Sequence, residues 1–206
     1  YRHFIQKVPT RLEIGDTPWS DIGWVTFIDQ KGQHQKKYFL INASLGVTAT
    51  ANLLFNQGDA FINWMKPLVN DLAIVYAAIK TIMTYKNLPL TLYWNGQQTR
   101  VSLSNLAILK MPNISGSFKF PQPILPDDGR LGINICQDMN KMDLLKILYQ
   151  LSRGQFENDT KRRSFFTNAL SIEVNDPIPL ETDGEVYQAK KIEFGILNHK
   201  IKLLSQ

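Results

Sequence analysis

Alternating apolar and polar positions mark strands at 23–29 and 37–42, and Gln30-Lys31-Gly32-Gln33 between them reads as a turn, so the chain opens on a hairpin. From 60 to 85 the period changes. Trp64, Leu68, Leu72, Val75, Ile79, Ile82 and Met83 recur at three- and four-residue steps with Asn70, Asp71 and Lys80 off the stripe, which predicts one long amphipathic helix. Strand patterning returns at 90–94 and 99–111, joined through Asn95-Gly96, a dipeptide suited to the left-handed backbone of a tight hairpin turn. A loop rich in Gly and Pro at 112–130 leads to a strand at 131–136 and a second helix around 141–151, whose apolar face is Met142, Leu145, Leu148 and Leu151. Segments 164–174, 178–180, 187–194 and 199–204 read as further short strands. The expected fold is mainly β within the α+β class: a β-sandwich or half-open barrel with two amphipathic helices packed on or beside it.

Composition agrees with an ordinary globular chain. Over 206 residues, 44% are apolar and 20% charged, enough apolar surface to offset the entropy of ordering, which excludes disorder as the main state. No apolar run reaches the roughly 18 to 20 residues of a membrane-spanning helix. The richest stretch, 60–85, is interrupted by Lys66, Asn70, Asp71 and Lys80. The single cysteine, Cys136, falls in an alternating segment and reads as a small buried hydrophobe, which excludes disulfide scaffolds and Cys-rich zinc sites. The net charge of +5 comes from short clusters, Lys36-Lys37, Lys161-Arg162-Arg163 and Lys190-Lys191. Such clusters are either solvated surface or attraction to anionic lipid or nucleotide phosphate. Nucleic acid fits less well, because neither a recognition motif nor aromatic residues interleaved with basic ones are found. The opening Tyr1-Arg2-His3-Phe4 lacks the apolar core of a signal peptide, and the chain is expected to begin inside a longer protein.

Chemistry is narrowed mainly by what is missing. There is no Gly-rich phosphate loop opening a helix, no G-x-S-x-G and no H-E-x-x-H, and the three histidines are scattered, which disfavours a metal triad or a histidine acid. Two acidic turns remain. In Pro126-Asp127-Asp128-Gly129-Arg130, paired carboxylates could bind a hard cation with help from loop carbonyls, or Asp-Gly is simply turn chemistry before a strand. In Glu181-Thr182-Asp183-Gly184-Glu185, three carboxylates fall within five residues, a crowding that raises at least one pKa and could tune a proton acceptor. Lys66 is a candidate for a cation assisting phosphate charge, against the reading of a lysine on a helix surface.

In order along the chain, these segments resemble the C-terminal domain of the soluble bacterial diacylglycerol kinase and lipid kinase family, relatives of sphingosine and ceramide kinases. The residues that carry the resemblance are Asp21-Ile22-Gly23-Trp24-Val25, the run from Tyr38 to Gly46, the helix with Tyr76, the segment 116–129 and Thr182-Asp183-Gly184-Glu185. It covers 21–204. Ser115-Gly116-Ser117-Phe118 stands where the family has a Gly-Gly-Gly-Met-like stretch, and no alanine follows Pro121 or Pro123 at the family's Pro-x-Ala position.

The resemblance implies a two-lobe kinase of which 21–206 is the C-terminal β-sandwich. Residues 1–20 would then be a linker or remnant of an absent N-terminal nucleotide-binding lobe, with 2–9 resembling that lobe's last helix and the Ile-Pro after it. It implies transfer of the γ-phosphoryl group of Mg-ATP to the primary hydroxyl of diacylglycerol or a similar lipid, the fragment being inactive by itself. Glu185 would be the proton acceptor, Asp183 its supporting carboxylate, and Gly184 the residue that lets the turn form. A structural Mg²⁺ would be held by Asp128 with the carbonyls of Leu125 and Arg130, and Asp127 would stand behind it. ATP would be bound mainly by the other lobe. Implied partners are a lipid at a membrane surface and the nucleotide-binding lobe of the same chain, with a homodimer left open and nucleic acid excluded; the implied location is cytoplasmic, peripheral at the inner membrane surface. Two other readings are a catalytically silent lipid-binding or regulatory module of the same fold, and a nucleic-acid-binding β-barrel.

Overall fold

A computed structural model describes residues 2–5, 8–11, 19–58, 60–65, 69–115 and 118–202. Arg2–Ile5 (β1) and Val8–Arg11 (β2) pair antiparallel, so these residues are extended where the resemblance implied the end of a helix. The remaining order is β3 (Trp19–Ile28), β4 (His34–Phe39), β5 (Asn42–Gly46), α1 (Val47–Gln57), α2 (Ala60–Met65), α3 (Asn70–Thr84), β6 (Leu88–Trp94), β7 (Gln97–Leu109), β8 (Asn113–Ser115), β9 (Phe118–Lys119), β10 (Leu131–Gln137), α4 (Lys141–Ser152), β11 (Arg162–Thr167), β12 (Ala169–Glu173), β13 (Ile178–Thr182) and β14 (Glu185–Lys202).

Among the described residues, ten strands form one antiparallel sheet, and the path β7-β5-β13-β14-β12-β6 returns to β7 to close a barrel-like ring. Two long strands make closure possible. Residues 97–103 of β7 pair with β6, whereas its 103–109 half runs between β5 and β10. The 18-residue β14 pairs in turn with β13, β12 and β3, with register shifts after Lys190 and Leu197. The patterning at 187–194 and 199–202 therefore belongs to one bulged strand rather than two, while 203–204 lie outside the described residues.

Strand chemistry follows burial. β3 alternates, with Val25 and Phe27 inside and Trp24 and Thr26 toward the surface, as expected of a strand covered on one face. The second half of β7 is buried on both faces, because the barrel interior lies on one side and helices on the other. The inner core gathers Phe39, Leu45, Leu106, Ile133, Leu180 and Phe194; an outer core joins Val47, Leu109, Cys136, Leu144, Ile147 and Leu151. Burial pushes the Cys136 thiol up to about 12, so it packs as a hydrophobe.

Among the described residues, four helices stand where two were expected. The stripe at 60–85 is divided between α2 and α3. Pro67, which has no N–H to give a helix, falls between them. The additional helix α1 has no apolar 3.6-residue period: Val47-Thr48-Ala49-Thr50-Ala51 alternates β-branched and small residues. Its start is set from outside. Gly46 takes φ +87° where an added Cβ would meet the Ser104 carbonyl oxygen at 2.6 Å, and Asn105 Oδ1 accepts from the Thr48 N–H at 2.9 Å. In α4 a capping box between Asn140 and Asp143 fixes the start, and the buried stripe is Leu144, Ile147 and Leu151. Met142 is 72% exposed. Steps of three alone lose about 60° each on a helix turning about 100° per residue, so Met142 and Leu151 fall on opposite faces.

Candidate functional site

The acidic turn at 181–185 is a two-residue hairpin. Thr182 pairs with Glu185, and Asp183 (φ 46°) and Gly184 (φ 93°) both take the left-handed backbone that this turn requires. The Asp183 carboxylate accepts three backbone N–H groups, from Leu40 (2.7 Å), Ile41 (3.0 Å) and Asn42 (3.0 Å), so it fastens the segment entering β5. Glu181 lies buried behind the turn, accepting from Ser44 Oγ and from the Gly184 N–H, both at 2.6 Å. Glu185 is exposed and accepts from the Tyr187 hydroxyl. Burial, and then the neighbouring Glu185 carboxylate, push Tyr187 up to about 12, so it remains a donor to Glu185 near neutrality. The Lys37 ammonium lies 5.0 Å from the centre of the Tyr187 ring.

Glu181 carries no role in the sequence reading beyond its place in an acidic cluster, and its burial gives it a measurable signature. Desolvation raises its pKa above 4.5, against the lowering effect of its two hydrogen bonds. The native state then binds the proton more tightly than the unfolded chain, so this group's contribution to stability falls as pH rises from about 4.5 through the raised value. Glu181→Gln is expected to flatten that slope. Urea unfolding of both proteins at about pH 5 and about pH 7 measures it, and an unchanged slope would show that Glu181 does not carry it.

The second acidic turn is tied to three elements by Asp21, which is buried on β3. Its carboxylate accepts from the backbone N–H groups of Gly129 (2.8 Å) and His199 (2.9 Å), while its own N–H donates to the Pro126 carbonyl at 2.8 Å. Beside it lies Lys110, whose side chain is 1% exposed at the end of β7. The ammonium donates to the carbonyls of Arg130 (3.2 Å) and Leu125 (3.3 Å) and pairs with Asp21 (3.5 Å) and Asp128 (3.6 Å). Asp128 also accepts from the Arg130 backbone N–H (3.0 Å) and guanidinium (3.2 Å). Asp127 is exposed.

The structure thus brings Asp128 and the carbonyls of Leu125 and Arg130 together, but around a lysine. Mg²⁺ draws its oxygens to about 2.0–2.1 Å in an octahedron. Here an ammonium stands among those oxygens, and the donor set as placed does not fit a divalent ion beside it. Among the described residues no group of three or more His, Cys, Asp or Glu could hold one. Lys110 went unnoticed in the sequence, where the only signal is a lysine directly after the apolar run Ala107-Ile108-Leu109. Lys66 lies outside the described residues.

The two turns sit at one end of the sheet. The Ile41 N–H is held by Asp183, and the Ile41 carbonyl accepts from the N–H groups of Lys110 (2.9 Å) and Met111 (3.0 Å), so one peptide segment separates them. On the other side, Asn56 of α1 donates to the Gly184 carbonyl at 2.8 Å. One turn back along α1, Asn52 and Phe55 line a largely apolar cleft between α1, α3 and α4, also walled by Ala51, Ile74, Ala78 and Leu148. Its cavity volume is about 90 Å³, and it opens to solvent. Helix α1 therefore carries the acidic turn at its C-terminal end and an apolar cleft along its side.

A mostly β, barrel-like sheet with helices over one face places the fold with the C-terminal region of diacylglycerol kinases. Two solved structures described as those of a "putative diacylglycerol kinase" of Bacillus anthracis superpose at TM-score 0.58; they share 15% and 17% identity with the chain, cover 89% of it, and are themselves covered over 55% and 56%. Residues 42–205 match the YegS C-terminal NAD kinase beta sandwich-like domain, and the chain belongs to that family. A protein of Staphylococcus carnosus named "Putative lipid kinase" is 25% identical over 142 residues, 68% of this chain and 46% of that protein. The chain spans about half the length of these relatives.

Proposed function

We propose that this chain is the acceptor side of an ATP-dependent lipid kinase, binding diacylglycerol or a similar lipid and supplying the base that deprotonates its primary hydroxyl. The observation that carries the proposal is the acidic turn resting on the same helix that lines an apolar cleft: Asn56 donates to the Gly184 carbonyl, and Asn52, one turn earlier on the same face, lines the cleft with Phe55. An acyl chain in the cleft leaves its polar end beside Glu185. Glu185 is exposed, and it is oriented by Tyr187. Asp183 has both oxygens engaged by backbone N–H groups and acts by holding the turn against 40–42.

In the reaction the lipid hydroxyl oxygen forms a bond to the γ-phosphorus, the bond from that phosphorus to the bridging oxygen breaks, ADP leaves, and the hydroxyl proton passes to Glu185. Phosphoryl transfer asks mainly for positioning and charge stabilisation from protein, and the base must lie within hydrogen-bond reach of the nucleophile. ATP with its Mg²⁺ is assigned to a nucleotide-binding lobe. The end of the sheet carrying both turns also exposes Leu40, Ile41 and Leu125, an apolar face suited to packing against that lobe.

Among the described residues, no helix is long and apolar enough to cross a membrane. In this proposal lipid reaches the cleft from a membrane surface that the protein touches peripherally. Photolabelling tests the acceptor assignment. A diacylglycerol carrying a photoreactive group on its acyl chain should label α1, α3 and α4, with labelling suppressed by unlabelled diacylglycerol. Uncompeted labelling spread over β3, β4 and the other strands would remove the cleft from the proposal.

A further inference from the structure

We propose that the Lys110 ammonium is a built-in replacement for a structural cation, so that this chain closes the 121–130 loop without a divalent metal. The ammonium lies among four oxygens from three parts of the chain: Asp21 on β3, Asp128 in the turn, and the carbonyls of Leu125 and Arg130 on either side of that turn. Its side chain is 1% exposed and that of Asp21 is fully buried, so this is an interior charge cluster rather than a surface ion pair.

Formal charge closes within it. Two carboxylates face Lys110 and the Arg130 guanidinium, two negative charges against two positive. A divalent ion added beside Lys110 would leave uncompensated positive charge in a buried site. Removing the ammonium would leave two carboxylates and two carbonyls, a hard-oxygen set suited to Mg²⁺ or Ca²⁺. Ammonium and divalent ion are therefore alternatives for one place, and the lysine has the advantage of being covalently attached to β7.

The consequence reaches the proposed catalytic turn by structure alone. The Lys110 N–H donates to the Ile41 carbonyl, and the Ile41 N–H donates to Asp183, so the side chain that pins the 121–130 loop rises from the residue that braces the segment held by Asp183. Lys110 is a positioning residue in this account, with no role as a ligand for substrate.

The test is the response of thermal unfolding to millimolar Mg²⁺ and Ca²⁺ against excess EDTA, in the wild-type chain and in Lys110→Ala. The wild type should keep its Tm within about 1 °C in all conditions, because no site for the ion is open. Lys110→Ala should melt about 10 °C lower in EDTA, because the buried Asp21 carboxylate is left without its cation and Asp128 keeps the Arg130 guanidinium alone, and should recover several degrees with Mg²⁺ or Ca²⁺. Equal metal responses in the two proteins, whether large or absent, overturn the proposal. Should Lys110→Ala fail to fold, Asp128→Asn supplies the second arm. It keeps the shape of the turn and removes one charge, and it should melt a few degrees below wild type with no metal response. A wild-type Tm that rises with Mg²⁺ overturns the proposal without any variant.

Discussion

Glu185→Gln is expected to slow phosphoryl transfer to diacylglycerol by about 10²- to 10⁴-fold, the usual contribution of a positioned general base. Glutamine keeps the size of the side chain and still accepts a hydrogen bond from the Tyr187 hydroxyl, but it does not take up the proton of an attacking alcohol. The side chain is exposed, so stability should change by no more than about 0.5 kcal/mol. Lipid affinity should also persist, because the acyl chain is held in a cleft that Glu185 does not line. The measurement is initial-rate transfer from radiolabelled ATP to dispersed diacylglycerol, with the chain joined to a nucleotide-binding lobe. A fall in kcat at unchanged KM is the expected pattern, and near wild-type kcat would remove Glu185 from the chemistry.

Asp183→Ala should show the converse, a loss of stability of about 3 kcal/mol or more. Three backbone N–H groups lose a charged acceptor, and alanine must hold the positive φ that Asp183 adopts at 46°. The Leu40 and Ile41 N–H groups lie where water reaches them, which offsets part of that loss, whereas Asn42 is buried. Asp183→Asn should lose less, since asparagine tolerates the left-handed backbone and keeps one acceptor oxygen. Urea denaturation of the three proteins orders them. Equal stabilities for Asp183→Ala and wild type would contradict the bracing role. The contrast with Glu185→Gln matters more than either number: under the proposed mechanism, neighbouring carboxylates in one turn divide into a brace and a base, backbone N–H groups engaging both oxygens of Asp183 whereas Glu185 accepts from the Tyr187 hydroxyl.

Much of the sheet was legible in the sequence because its chemistry is local. Asn95-Gly96 and Asp183-Gly184 make the two-residue turns that their composition demands, and the alternation of β3 appears directly as burial. The helical layer was harder. Helix α1 shows no apolar period, since its start is imposed by Gly46 packing on Ser104 and by Asn105 capping Thr48, contacts made across the sheet. The face of α4 departs from the three-residue spacing of Met142, Leu145, Leu148 and Leu151, because residues repeating every three positions drift around a helix of 3.6 residues per turn. At the site, the acidic turns were visible as short motifs, whereas their partners are remote in sequence: Asp21 lies 108 residues from Gly129 and 178 from His199, and Asp183 lies 143 from Leu40. Lys110 belongs to the same class. A lysine at a strand end looks like solvated surface until the fold encloses it with two carboxylates.

The most direct measurement is the formation of phospholipid product from ATP and diacylglycerol by the chain joined to a nucleotide-binding lobe. The account predicts phosphorylation of the primary hydroxyl at a rate that collapses in Glu185→Gln. Lipid binding without any product, while the joined lobe binds ATP normally, would contradict it and leave the chain a lipid-binding module.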